Sequence, residues 1–100
     1  MNMVENLMII AMEEAAELQQ DISKAMRFGM NEYCVEYGHT VDNEQRILTE
    51  YYQLQAVMEH LQTINILKTP SEEEIKAIKD KKIEKVYKYM QVSKQKGTLK

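Results

Sequence analysis

EEAAELQQDISKAMRFG, residues Glu13 to Gly29, is helical in composition and acidic where a buried helix face should be apolar. It belongs to a longer run, from Asn2 to about Phe28, without Gly or Pro and dense in Met, Leu, Ala, Glu and Gln, which predicts one long helix. At about 100° per residue, Leu7, Ala11, Leu18, Ile22 and Ala25 fall in a single stripe, and Glu14 falls inside it. Glu17 and Asp21 sit on the edge of the stripe, and Glu13 lies further round. A carboxylate on a buried face is costly unless it is paired or holds a cation. Gly29 is a natural C-cap, and Lys24 and Arg27 in the last turns complement the helix dipole.

Beyond Gly29, residues 30–41 show no clear period and read as a loop with one short helical turn. A connection of that length is often functional. Asp42 or Asn43 can cap the next helix, expected to run to about Leu67 with Ile47, Tyr51, Leu54, Met58 and Leu61 on one face. Glu50, in ILTEYYQLQAVMEHL, lies on that face between Leu54 and Val57, with Gln53 at its margin. Two helices thus each carry a carboxylate where the pattern asks for an apolar residue. If the helices run antiparallel, those carboxylates meet. Lys68 to Ser71, with Pro70, is a break, and Ser71 with Glu74 makes a capping box for a third long helix. Ile75, Ile78, Ile83, Val86 and Met90 supply its apolar side, its lysines make it strongly basic, and Gly97 marks its end.

The fold expected is all-α, a helical bundle of three long helices plus a short turn, in a single domain with residues 94–100 as a frayed tail. With 3 Gly and 1 Pro in 100 residues, the turns an all-β chain needs are missing. The formal net charge of -3 provides no basic field for nucleic acid. No apolar run reaches the roughly 18 residues of a membrane span, and the first residues lack a signal-peptide layout, so a cytosolic protein is expected. Cys34 stands alone and reads as a small buried side chain. His39 and His60 have no partner at ligand spacing and read as surface or satisfied groups. Tyr33, Tyr37, Tyr51 and Tyr52 read as ordinary packing, with base stacking as the alternative.

Acidic residues on a helix commonly form a solvated face. Here two helices each place a Glu in the core-facing stripe, and Mg²⁺ takes carboxylate oxygens together with waters and substrate phosphates. Lys24, Arg27, Lys81, Lys82 and Lys85 are the basic residues available to phosphates.

These motifs resemble a known family. EEAAE at Glu13 to Glu17 is similar to the EExxE signature of the MazG-like all-α nucleoside triphosphate pyrophosphohydrolases, small bacterial and phage type. ISKAMRFG at Ile22 to Gly29 and KIEKVYKYMQVSKQKG at Lys82 to Gly97 resemble the helix end and closing helix of its small members. The resemblance implies Glu14, Glu17, Glu50 and Gln53 as metal-site residues for Mg²⁺, with Mn²⁺ as a substitute. It implies Glu13 or Glu17 as the group that takes the proton of the attacking water, and Lys24, Arg27, Lys82 and Lys85 as phosphate contacts. The reaction implied is cleavage of a nucleoside triphosphate to the monophosphate and pyrophosphate, in a homodimer or homotetramer. The chain departs from the pattern at Gln53, where the family's downstream ExxD has Asp. One negative charge is lost and Mg²⁺ should bind more weakly. Either hydrolysis continues at higher metal concentration, or the chain is a non-catalytic module that binds nucleotide or protein. A plain helical interaction module with solvated acids is the third expectation.

Overall fold

The computed structural model describes residues 1–100. The chain is all-α: α1 spans Met3–Phe28, α2 Asn43–Thr63 and α3 Glu72–Gln95, with a 3-10 turn at Val35–Tyr37 and no strand. No helix is long and apolar enough to cross a membrane. The chain divides into two compact units, Met1–Lys68 and Thr69–Lys100.

The first unit is an antiparallel hairpin of α1 and α2. Asn2 opens α1 with a reciprocal cap: its Oδ1 accepts from the Glu5 amide at 2.8 Å and its Nδ2 donates to the Glu5 carboxylate at 3.0 Å. Gly29 closes the helix at φ 107, a backbone angle suited to Gly. A Cβ there would stand 3.1 Å from Glu32 Cγ. The face of α1 turned inward is Val4, Leu7, Ala11, Glu14, Leu18, Asp21 and Ala25, spaced alternately by three and four residues. That is a period of 3.5, the seam along which two helices stay in contact, and not the 3.6 of a straight helix. It moves Asp21 from the edge into the core, at 4% exposed, and moves Ile22 out, at 45%.

The same correction applies to α2. Asn43, Ile47, Glu50, Leu54, Val57 and Leu61 face inward, whereas Tyr51 and Met58 are exposed. Helix α2 also ends four residues before the expected Leu67. Asn65 adopts a left-handed backbone, φ 63, while the Ile66 amide donates to Leu61 O and the Asn65 amide to Gln62 O. This is the helix-ending motif usually built on Gly, with Asn in Gly's place.

One residue knots the loop to both helices. Asp42 caps α2 through its side chain, which accepts from the Gln45 amide at 2.8 Å. Asn43 beside it is fully buried. Its Nδ2 donates to Gly29 O at 2.8 Å, its Oδ1 accepts from Cys34 Sγ at 3.3 Å, and its backbone amide donates to Glu32 O. Residues 30–41 are therefore held from both ends. Cys34 is buried as a small apolar group.

The second unit is α3 with its flanks. Ser71 Oγ accepts from the Glu74 amide, as the expected cap requires, and the Glu74 carboxylate accepts in return from the Ser71 hydroxyl and not from its backbone amide. Gly97, at φ 79, closes the other end as the Thr98 amide donates to Ser93 O.

Candidate metal centre

Because α1 and α2 run antiparallel at a coiled-coil period, residues one turn apart on one helix meet residues one turn apart on the other in reverse order. Glu14 lies against Gln53 and Glu50, Glu17 against Glu50, and Asp21 against Arg46. Carboxylate oxygens of Glu14, Glu17 and Glu50 all lie within 4.8 Å of one another. Glu17 is exposed and Glu14 half-buried, and Glu50 is the most enclosed of the three.

Three carboxylates at this separation cannot all be charged without a cation or a proton. The Glu50 carboxyl is raised from an ordinary 4.5 to about 7. Burial is the largest cause, followed by hydrogen bonding to Glu14 and Glu17 and then by their negative charge. Gln53 contributes the remaining compensation. With its amide nitrogen turned to the carboxylates, Nε2 donates to Glu14 Oε2 at 3.3 Å and to both Glu50 oxygens at 3.2 Å. An Asp at this position would add a fourth negative charge; Gln53 adds a donor.

The donor set fits a hard divalent cation. Oxygens bound to one ion at roughly 2.0–2.6 Å stand about 3–5 Å apart, which is the spacing present here. A side-chain amide can also turn over to offer its oxygen, so Gln53 fits the same site as a neutral ligand.

The other expected site residues are distributed unevenly. Glu13 is exposed on α1 and stands outside the three-carboxylate group. Lys24 points its ammonium at the Tyr37 ring, 4.1 Å from the centroid, and Arg27 stacks over Phe28 at 5.1 Å. Lys82 and Lys85 are exposed on α3, in the second unit. The concavities there, from Glu72 to Asp80 and from Lys81 to Lys88, are each lined by that one helix and are grooves between side chains.

Two features escape a reading of the sequence alone. Arg46 Nε donates to Asp21 Oδ1 at 3.2 Å, one turn from the acidic cluster on both helices. His39 is not a satisfied histidine: its Nδ1 is buried without a partner. Its pKa is lowered by burial first and by Arg46 and Lys24 next, against an opposing pull from Asp21. The signal for Arg46 was its i,i+4 spacing from Glu50, which puts a cation on the face that carries the acid.

No protein-family model, curated protein or solved structure matches the chain.

Proposed function

We propose that this chain is a Mg²⁺-dependent, MazG-like nucleoside triphosphate pyrophosphohydrolase, a hydrolase acting on acid anhydrides, working in the cytoplasm as a homo-oligomer. The observation that carries this is the meeting of Glu14, Glu17 and Glu50 from two helices within 4.8 Å, with the Glu50 carboxyl raised to about 7. A fold built for stability alone would place apolar residues at those seam positions. Carboxylates from two helices that face one another, eased only by a proton and one amide, are a donor set suited to a divalent cation.

Mg²⁺, or Mn²⁺ in its place, supplies charge neutralisation at the phosphates and a polarised water. The chain's own residues do the rest. Glu14, Glu17 and Glu50 hold the ion, and Gln53 turns its amide to offer oxygen. Water oxygen bonds to the α-phosphorus as the bond from that phosphorus to the bridging oxygen breaks, and pyrophosphate leaves. Glu17, or Glu13 beside it, takes the water's proton; both are exposed to solvent and can pass it on. Lys24 and Arg27, about two and three turns beyond Glu17 on α1, would be the phosphate contacts of this helix.

A second copy is supported by the surface of the hairpin. Met8, Met12, Met26, Leu48, Tyr51 and Tyr52 are all exposed. Only Ala25, Cys34 and Leu61 are buried apolar residues, a small core for a chain of this length. Association would cover this surface and enclose a nucleotide that a two-helix hairpin cannot.

Gln53 favours a second reading, a module that binds nucleotide without cleaving it. The deciding experiment is a panel of canonical and modified nucleoside triphosphates assayed for monophosphate and pyrophosphate. The enzyme is expected to release pyrophosphate only with Mg²⁺ or Mn²⁺ and to lose this in Glu14→Ala and Glu50→Ala. Binding without turnover at high metal, with turnover appearing only in Gln53→Asp, would establish the binding module instead.

A further inference from the structure

One turn beyond the acidic cluster, α1 and α2 are joined by the Arg46–Asp21 ion pair. Asp21 is 4% exposed and the Arg46 side chain 31%. Burying a carboxylate this deeply is costly, and a pair serving only to lock the helices would satisfy both oxygens. Here Asp21 Oδ2 has no partner and Asp21 Oδ1 takes a single bond, from Nε. A guanidinium has five N–H groups. The four on the two Nη nitrogens of Arg46 have no hydrogen-bond partner in the protein. The arrangement therefore orients a permanent cation and leaves its end-on fork free. Arg46 and Glu50 lie one turn apart on the same face of α2, about 6 Å in rise.

We propose that Arg46 is a phosphate-binding residue of the metal centre and that Asp21 is its positioning residue. The end-on fork of Arg46 takes the oxygens of a phosphate group brought in with the cation, while Nε stays on Asp21. The proposal rests on the nucleotide reading above. An arginine suits this task better than a lysine, because its planar donors match two phosphate oxygens at once and one edge can be anchored while the other binds. Lys24 reinforces the field, since it and Arg46 both act on His39 at this end of the hairpin.

Titration calorimetry on the whole chain separates the roles. One arm uses Mn²⁺ alone; the other uses inorganic tripolyphosphate as its preformed Mn²⁺ complex, which removes any dependence on the base. Arg46→Gln is expected to leave Mn²⁺ affinity within about twofold and to weaken the tripolyphosphate complex about 10- to 100-fold, the size of a charge-assisted contact pair. Asp21→Asn is expected to leave Mn²⁺ binding unchanged and to weaken the complex by several-fold, roughly what looser orientation costs. Arg46→Lys keeps the charge and the pair with Asp21, and should fall between wild type and Arg46→Gln. It carries the test if Arg46→Gln loses helix content. Parallel loss of Mn²⁺ and tripolyphosphate would show that Arg46 only sets the helix register, and would overturn the proposal. So would unchanged binding of both. A wild type that binds Mn²⁺ but no tripolyphosphate overturns the proposal and leaves the metal centre standing. A wild type that binds neither overturns both.

Discussion

Two of the polar clusters that interrupt the apolar seam of the hairpin are opposites. At Asn43 a fully buried amide donates to Gly29 O, accepts from Cys34 Sγ and sits on a backbone amide that is itself bonded to Glu32 O. Around Glu50, three carboxylates meet with only a proton and the Gln53 amide between them. A polar network with every member paired specifies a structure; one that is short of positive charge is poised for a ligand. The same pair of helices has room for both because the Asn43 knot ties the loop to the ends of both helices and so fixes where the carboxylates meet.

The sharpest way to break the contrast is at the knot. Asn43→Ala removes both side-chain hydrogen bonds from a fully buried position and leaves the Gly29 carbonyl short of a donor, and is expected to cost about 2–4 kcal/mol of stability, read as a lower midpoint of thermal or denaturant unfolding. A loss under about 0.5 kcal/mol would mean that the loop is held by other contacts.

Glu50 should respond in the opposite direction. Its folded pKa of about 7 lies above the ordinary 4.5, so between those values the folded chain holds more protons than the unfolded one. Stability contributed by the protonated group is complete below 4.5 and falls as pH rises through about 7. Without divalent metal, wild type is therefore expected to be more stable at pH 5 than at pH 8. Glu50→Gln should flatten that slope and raise stability at pH 8 by about 1–2 kcal/mol, because it removes a half-buried charge that faces two like charges. A wild-type profile that rises from pH 5 to pH 8 contradicts the account of Glu50. Gln53→Asp should do the reverse on a smaller scale: it should cost about 1 kcal/mol without metal at pH 8, through a fourth like charge. Its Mg²⁺ affinity should rise about tenfold, as one added carboxylate does in oxygen-ligand sites.

How much of this was legible in the sequence follows from whether the relevant physics is local. Caps are local: Ser71 with Glu74, Asp42 and Gly29 mark their helix ends where the structure has them. The end of α2 was not legible, because Asn65 does the work of a glycine without looking like one. Seam residues are half-local. Glu14 and Glu50 stand out as acids in apolar stripes, but straight-helix spacing also selects Ile22, Tyr51 and Met58, which are exposed, and leaves Asp21, which is buried, at the edge. Cross-helix partners are not local at all. Asn43 reads as a cap residue until its distant partners at Gly29 and Cys34 are known, and the bond from Arg46 to Asp21 spans 25 residues.

The most direct test of the central claim is Mn²⁺ titration of wild type at pH 6.5 in buffers of different ionisation enthalpy, which counts protons expelled as metal binds. With the Glu50 pKa at about 7, most molecules carry that proton at pH 6.5. The expected result is one bound ion with release of somewhat under one proton, and no proton release in Glu50→Gln. Mn²⁺ binding that expels no proton in wild type, or that persists with the same affinity in Glu50→Gln, would contradict the assignment of Glu14, Glu17 and Glu50 as the metal centre.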